Sequence, residues 1–85
     1  MDINNNDLAV VLAELSEDFK TPVRYTTIKN AAELYLRQVE DNATIEVTDS
    51  SIVRGLILFY KKGYVNPTRA GYTLRSNIIE HVERL

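Results

Sequence analysis

The stretch from Thr48 to Leu74, TDSSIVRGLILFYKKGYVNPTRAGYTL, sets the tightest limits on what this chain can fold into. Thr48-Asp49-Ser50-Ser51 is its strongest helix start, because Thr48 or Asp49 can accept from the unpaired N–H groups of a first turn. A helix over about 50–62 follows, and Gly63 stands where a left-handed stop is expected. Ile52, Val53, Leu56, Phe59 and Tyr60 form its expected buried arc. The opposite arc holds Ser50, Ser51, Arg54, Gly55, Leu58, Lys61 and Lys62. Tyr64-Val65-Asn66 and Tyr72-Thr73-Leu74 favour extended backbone. Pro67 to Gly71 between them is turn chemistry, which predicts a hairpin over about 64–74.

Charge divides the chain at the start of that stretch. Residues 1–49 carry ten acids and four bases, whereas residues 50–85 carry six bases and two acids. No acid lies between Asp49 and Glu80, a span that holds Arg54, Lys61, Lys62, Arg69 and Arg75. Such asymmetry on a chain of net charge −2 points to a polyanionic partner for the second half.

The remaining elements read as scaffold. Eighty-five residues make one domain with a modest core. Met1 to Asn6 is polar and expected to fray, with Asn6 as the cap of a helix over about 7–19. Its apolar face is Leu8, Val11, Leu12, Leu15 and Phe19, and Lys20-Thr21-Pro22 ends it. Val23-Arg24-Tyr25 suits an edge strand. Thr26 or Thr27 then caps a helix over about 27–40, whose buried face is Ile28, Ala31, Ala32, Tyr35, Leu36 and Val39. Residues 43–47 read as a linker or short strand. Ser76 caps a last helix over about 76–85, with Ile78, Val82 and Leu85 inward and Ile79 pointing elsewhere.

The expected fold class is α+β and mostly helical. Helix, short strand, helix, helix, hairpin, helix resembles a winged helix-turn-helix domain with a three-helix core, a short β-hairpin wing and a C-terminal helix. GYVNPTRAGYTL at 63–74 is similar to the wing of small bacterial, archaeal or viral winged-helix repressors, leaving the third helix by Gly-Tyr-Val and returning by Gly-Tyr-Thr-Leu. Thr68 and Gly71 also resemble the Thr-x-x-Gly step of multiple-antibiotic-resistance-type repressors, in which case the last helix starts near Thr68. The chain departs from the pattern in its long connection, Asp41 to Asp49, and in a wing tip with one base, Arg69.

The resemblance implies a transcriptional regulator or repressor that binds double-stranded DNA in a sequence-specific way, as a homodimer. The third helix then enters the major groove, N-terminal end first. Ser50 and Ser51 can donate to phosphates or base edges, Arg54 can grip a guanine, and Leu58 can meet a thymine methyl. Lys61 and Lys62 sit nearer the backbone, although cations suit any helix C-terminus. Asn66, Thr68 and Arg69 become wing contacts, with Arg75 on the same expected face. Leu8 and Ile79 are candidates for the dimer contact. The other reading is a winged-helix module for protein–protein contact, motivated by the acidic first half.

Other chemistries find little purchase. Without cysteine there is no disulfide or thiolate site, which suits the cytoplasm. His81, the one histidine, lacks a second His or Cys and reads as a helix-surface residue rather than a metal ligand. No nucleophile–base set, phosphate loop or membrane-length apolar run appears, so neither catalysis, a cofactor nor a membrane is expected.

Overall fold

The first helix starts earlier than its apolar residues require, because Asn4 supplies the cap. In the computed structural model, which describes residues 1–85, α1 spans Asn5–Leu15, and Asn4 Oδ1 accepts from Asp7 N at 2.8 Å. Leu8, Ala9, Val11 and Leu12 are its buried side. The helix stops at Leu15, short of the expected Phe19. Ser16 Oγ donates back to Leu12 O, and the Asp18 carboxylate accepts from the Lys20 and Thr21 N–H groups and from the Thr21 hydroxyl. Such local side-chain bonds compete with the helical ladder and close a turn instead. Phe19 adopts φ 58° there and still packs on the core from outside the helix.

Val23 forms a single antiparallel bridge with Tyr72, each N–H donating to the other's carbonyl at 2.8 Å. That fixed extended step lets α2, Tyr25–Val39, begin at once after Arg24, so Thr26 and Thr27 lie inside its first turn rather than capping it. Ile28, Ala32 and Leu36 repeat every four residues on its buried side, whereas Val39 is exposed.

A second four-residue repeat on α2 holds the connection that follows. Arg37 Nε donates to Ile45 O and Glu33 Oε2 accepts from Val47 N, both at 2.9 Å. Lys29 and Tyr25 then both reach Asp49. Residues 42–49 therefore run back along α2 from its C-terminal to its N-terminal end, with Ile45 and Val47 buried. Their other side is taken by the first residues of the chain. Met1 N donates to Glu46 O at 2.8 Å, Thr48 N to Met1 O at 2.9 Å, and Ile3 N to Ser51 Oγ at 3.2 Å. Ile3 is buried, so the expected fraying of Met1 to Asn6 is replaced by a pinned segment.

α3, Asp49–Lys61, ends in a Schellman motif. Gly63 has φ 78°, Tyr64 N donates to Phe59 O, and Gly63 N donates to Tyr60 O. The accompanying apolar contact is Tyr64 on Phe59, ring centres 5.9 Å apart. The hairpin pairs β1, Val65–Thr68, with β2, Gly71–Leu74, across a two-residue turn at Arg69-Ala70. Its register sets Val65 opposite Leu74 and Pro67 opposite Tyr72. Tyr64 lies outside it and packs on Phe59 and His81, while Tyr72 faces Pro67 across the hairpin. β2 is flanked by β1 on one side and Val23 on the other, which leaves Pro67 on an edge strand where its missing N–H does no harm.

Gly71 has φ 141°, and a Cβ there would sit 2.4 Å from Val23 O. Only glycine lets the hairpin approach the bridge so closely. α4, Asn77–Glu83, packs on α1 through Ile78, so the last helix does not begin near Thr68. The fold is thus α+β and mostly helical, four helices with one antiparallel hairpin around a core of 16 buried apolar residues. No helix is long and apolar enough to cross a membrane.

Candidate nucleic-acid interface

The α3 helix is turned about its axis from its expected orientation. Ser51, Ile52, Gly55, Leu56 and Phe59 are buried, whereas Val53 and Tyr60, both expected inside, are 41% and 54% exposed. At 100° per residue the rotation is roughly 70°. Two small residues cause it. A Cβ on Gly55 would lie 2.5 Å from Leu8 Cδ2, so Gly55 permits close approach of α1, not of an outside surface. Ser51 is 5% exposed, and its hydroxyl accepts from Ile3 N while donating to Thr48 O. Ser51 is therefore withdrawn from the contact surface by its own hydrogen bonds. Leu58, half-buried, packs against the core rather than standing free.

The outward arc that results has two halves. Ser50, Arg54 and Lys61 form a polar and basic half; Val53, Ile57 and Tyr60 form an apolar one. Lys62 is exposed at the C-cap.

The start of α3 is fixed by a polar clamp rather than by a capping side chain. Thr48 occupies the cap position, but its hydroxyl bonds to Asp2 and Ser51 and accepts from no first-turn N–H. Asp49 instead receives the Tyr25 hydroxyl and the Lys29 ammonium, the latter at 3.0 Å in the molecule's one ion pair. The hydrogen bond from Tyr25, then that from Lys29, holds the Asp49 carboxyl below its ordinary range. Asp49 in turn raises the Lys29 ammonium. Partial burial, followed by the bond to Asp49, pushes the Tyr25 phenol up.

The other candidates lie on the hairpin and beside it. Thr68 Oγ1 accepts from Ala70 N and donates to Gly71 O, so its hydroxyl shapes the turn that presents Arg69. Arg69 shares a surface depression with Arg24, Thr26 and Thr68, which no acid lines. Arg24 does not stand out in the sequence as a site residue. Its signal was only a base on an acidic half, and its approach to Arg69 depends on the Val23–Tyr72 bridge. Arg75 and Asn66 border a second depression with Phe19 and Asn77. Arg54 borders a third with Asp2, Asn4 and Asn5, so one acid of the first half stands near it. Leu8 is fully buried and Ile79 packs on the core, which removes Leu8 as a dimer contact. His81 is half-buried against Phe59 and Tyr64 rather than on the open helix surface.

Comparison of the chain with models of protein families, with curated proteins and with solved structures gives no match.

Proposed function

We propose that the chain is a winged helix-turn-helix domain that binds double-stranded DNA as a cytoplasmic transcriptional regulator, most simply a repressor acting as a homodimer on paired half-sites. One observation carries the reading. Arg54, Lys61, Lys62, Arg69 and Arg75 are all exposed, no acid interrupts them in sequence, and none has an ionic partner within the chain. Cations held without partners on one helix and its following hairpin suit a row of phosphates. The strand order Val23, β2, β1 supports the wing assignment, because it places the hairpin beside the short extended step between α1 and α2.

In this reading Ser50 and Arg54 at the start of α3 reach base edges, while Lys61, Lys62, Thr68, Arg69, Arg75 and Asn66 meet the sugar–phosphate backbone. Arg24 joins Arg69 as a backbone contact. Titration of duplex DNA at several salt concentrations tests it. Each phosphate contact contributes about −0.9 to the slope of log affinity against log salt. Duplex binding that ignores salt, or affinity unchanged by Arg54→Ala together with Arg69→Ala, would sink the proposal.

A second reading, protein–protein contact without DNA, is favoured by the exposed Val53, Ile57 and Tyr60, which a purely phosphate-binding helix does not need.

A further inference from the structure

We infer that the apolar half of the α3 arc is a docking face for an acidic amphipathic helix of a partner protein. Val53, Ile57 and Tyr60 are 41%, 51% and 54% exposed. Their spacing, i, i+4, i+7, places them in one stripe along two turns, the spacing by which helices anchor on one another. Scattered surface apolar residues need no explanation, whereas a contiguous patch of a few hundred Å² is often functional.

Area and charge select the occupant. Three side chains about half exposed offer on the order of 300 Å², well short of the roughly 800 Å² per partner of a stable globular interface. A single helix fits that footprint. Arg54 and Lys61 flank the stripe on one edge, two turns or about 10 Å apart. No acid lies on α3 beyond Asp49 in its first turn. A second copy laid on the same stripe offers these cations no carboxylate from its own α3 beyond Asp49, and in the antiparallel arrangement it sets them on the same edge as their equivalents. The complementary partner is a helix with an apolar seam and carboxylates two turns apart along one flank. Because Arg54 and Lys61 also belong to the proposed DNA surface, such a helix and duplex DNA exclude one another. The docking face itself rests on the stripe and not on the DNA reading.

The probe is a synthetic helical peptide of about three heptads, Leu at a and d and Glu at e and g, labelled for fluorescence anisotropy and titrated with the full chain. A peptide with Lys in place of Glu is the control, and a labelled DNA duplex is the competitor. The acidic peptide is expected to bind saturably, at least about tenfold more tightly than the basic one, and to be displaced by duplex. Ile57→Ser, a change at an exposed position that leaves the helical circular dichroism intact, should weaken peptide binding about tenfold while changing duplex affinity far less. Arg54→Ala should weaken both. Equal binding of the two peptides, or indifference to Ile57→Ser, overturns the inference. So does sedimentation showing a dimer that Ile57→Ser converts to a monomer, because the stripe is then occupied by a second copy. Peptide binding without duplex binding overturns the DNA reading alone; duplex binding without peptide binding overturns the docking face alone.

Discussion

Two regions of this small chain treat charge in opposite ways. Along α2 and the connection that returns beside it, Tyr25, Lys29, Glu33 and Arg37 are each spent on a bond to residues 45–49. Along α3 and the hairpin, five cations stand exposed with no ionic partner. The first region shows what charged side chains do when they hold a chain together: they reach backbone groups and one another at four-residue intervals. The second leaves its cations to solvent. The distinction matters because mean composition hides it; the chain as a whole is slightly acidic. A cation counts toward a partner only after its internal obligations have been subtracted, which is why Lys29 and Arg37 do not belong to the candidate interface.

The largest effect that breaks this contrast is expected at the joint between the regions. Gly71→Ala drives a Cβ into the Val23 carbonyl and forces a side chain into a backbone region that favours glycine. Strain and overpacking together should cost about 3 kcal/mol or more, read as a fall in the chemical-denaturation midpoint. The depression that Arg24 and Arg69 line together should be lost with it.

Next in size is the comparison of neighbouring serines. Ser51→Ala leaves the Ile3 N–H without its acceptor in a buried place and should destabilise by about 1–3 kcal/mol. Ser50→Ala, on the exposed arc, should stay within about 0.5 kcal/mol, with any change appearing in DNA affinity instead.

A third test exchanges the regions' roles. Arg37→Ala removes the bond to Ile45 O and should lower stability by about 1 kcal/mol without altering the salt slope of DNA binding. Lys61→Ala, at a proposed phosphate contact, should do the reverse, leaving the melting curve in place and reducing that slope.

The smallest effect is pH dependence. Asp18 is held at about 2, chiefly by the Thr21 and Lys20 N–H groups, and Asp49 is also depressed, chiefly by Tyr25. A carboxylate whose folded pKa is lowered contributes its full stability above the unfolded value, about 4, and loses it as pH falls through the folded value. Denaturation midpoints should therefore be flat above about pH 5 and decline toward pH 2. Asp49→Asn should make that decline shallower. A midpoint that rises on acidification would contradict the clamp.

Element order was readable from periodicity and turn residues. Gly63, the hairpin and four helices follow from local chemistry that the sequence displays. What escaped was set by non-local partners. The rotation of α3 arises because its inner side needs small residues where α1 crosses, so Ser51 and Gly55 go inside while Val53 and Tyr60 go out. Hydropathy alone assigns them the other way. Met1 to Asn6 look like a polar tail until residues 46–48 are known to lie alongside. The early end of α1 was visible in principle, since Ser16 and Asp18 are residues that bond back to nearby backbone. Of the candidate contacts, Arg54 and Arg69 needed only the sequence, whereas Arg24 needed the Val23 bridge to be noticed at all.

That bridge has a consequence for how the chain reaches its fold. Val23 to Tyr72 and Met1 to Thr48 are backbone pairings that span long, overlapping segments. Each closure costs chain entropy before its contacts return any stability, and each crosses the midpoint of the other. Neither half of the molecule contains both ends of either pairing. A break at the exposed Asn42-Ala43-Thr44 turn would leave two fragments that are unstructured apart and recover helix content only when mixed. Residues 1–85 are therefore expected to fold as one cooperative unit, and an assembly assay with those two fragments would report its closure directly.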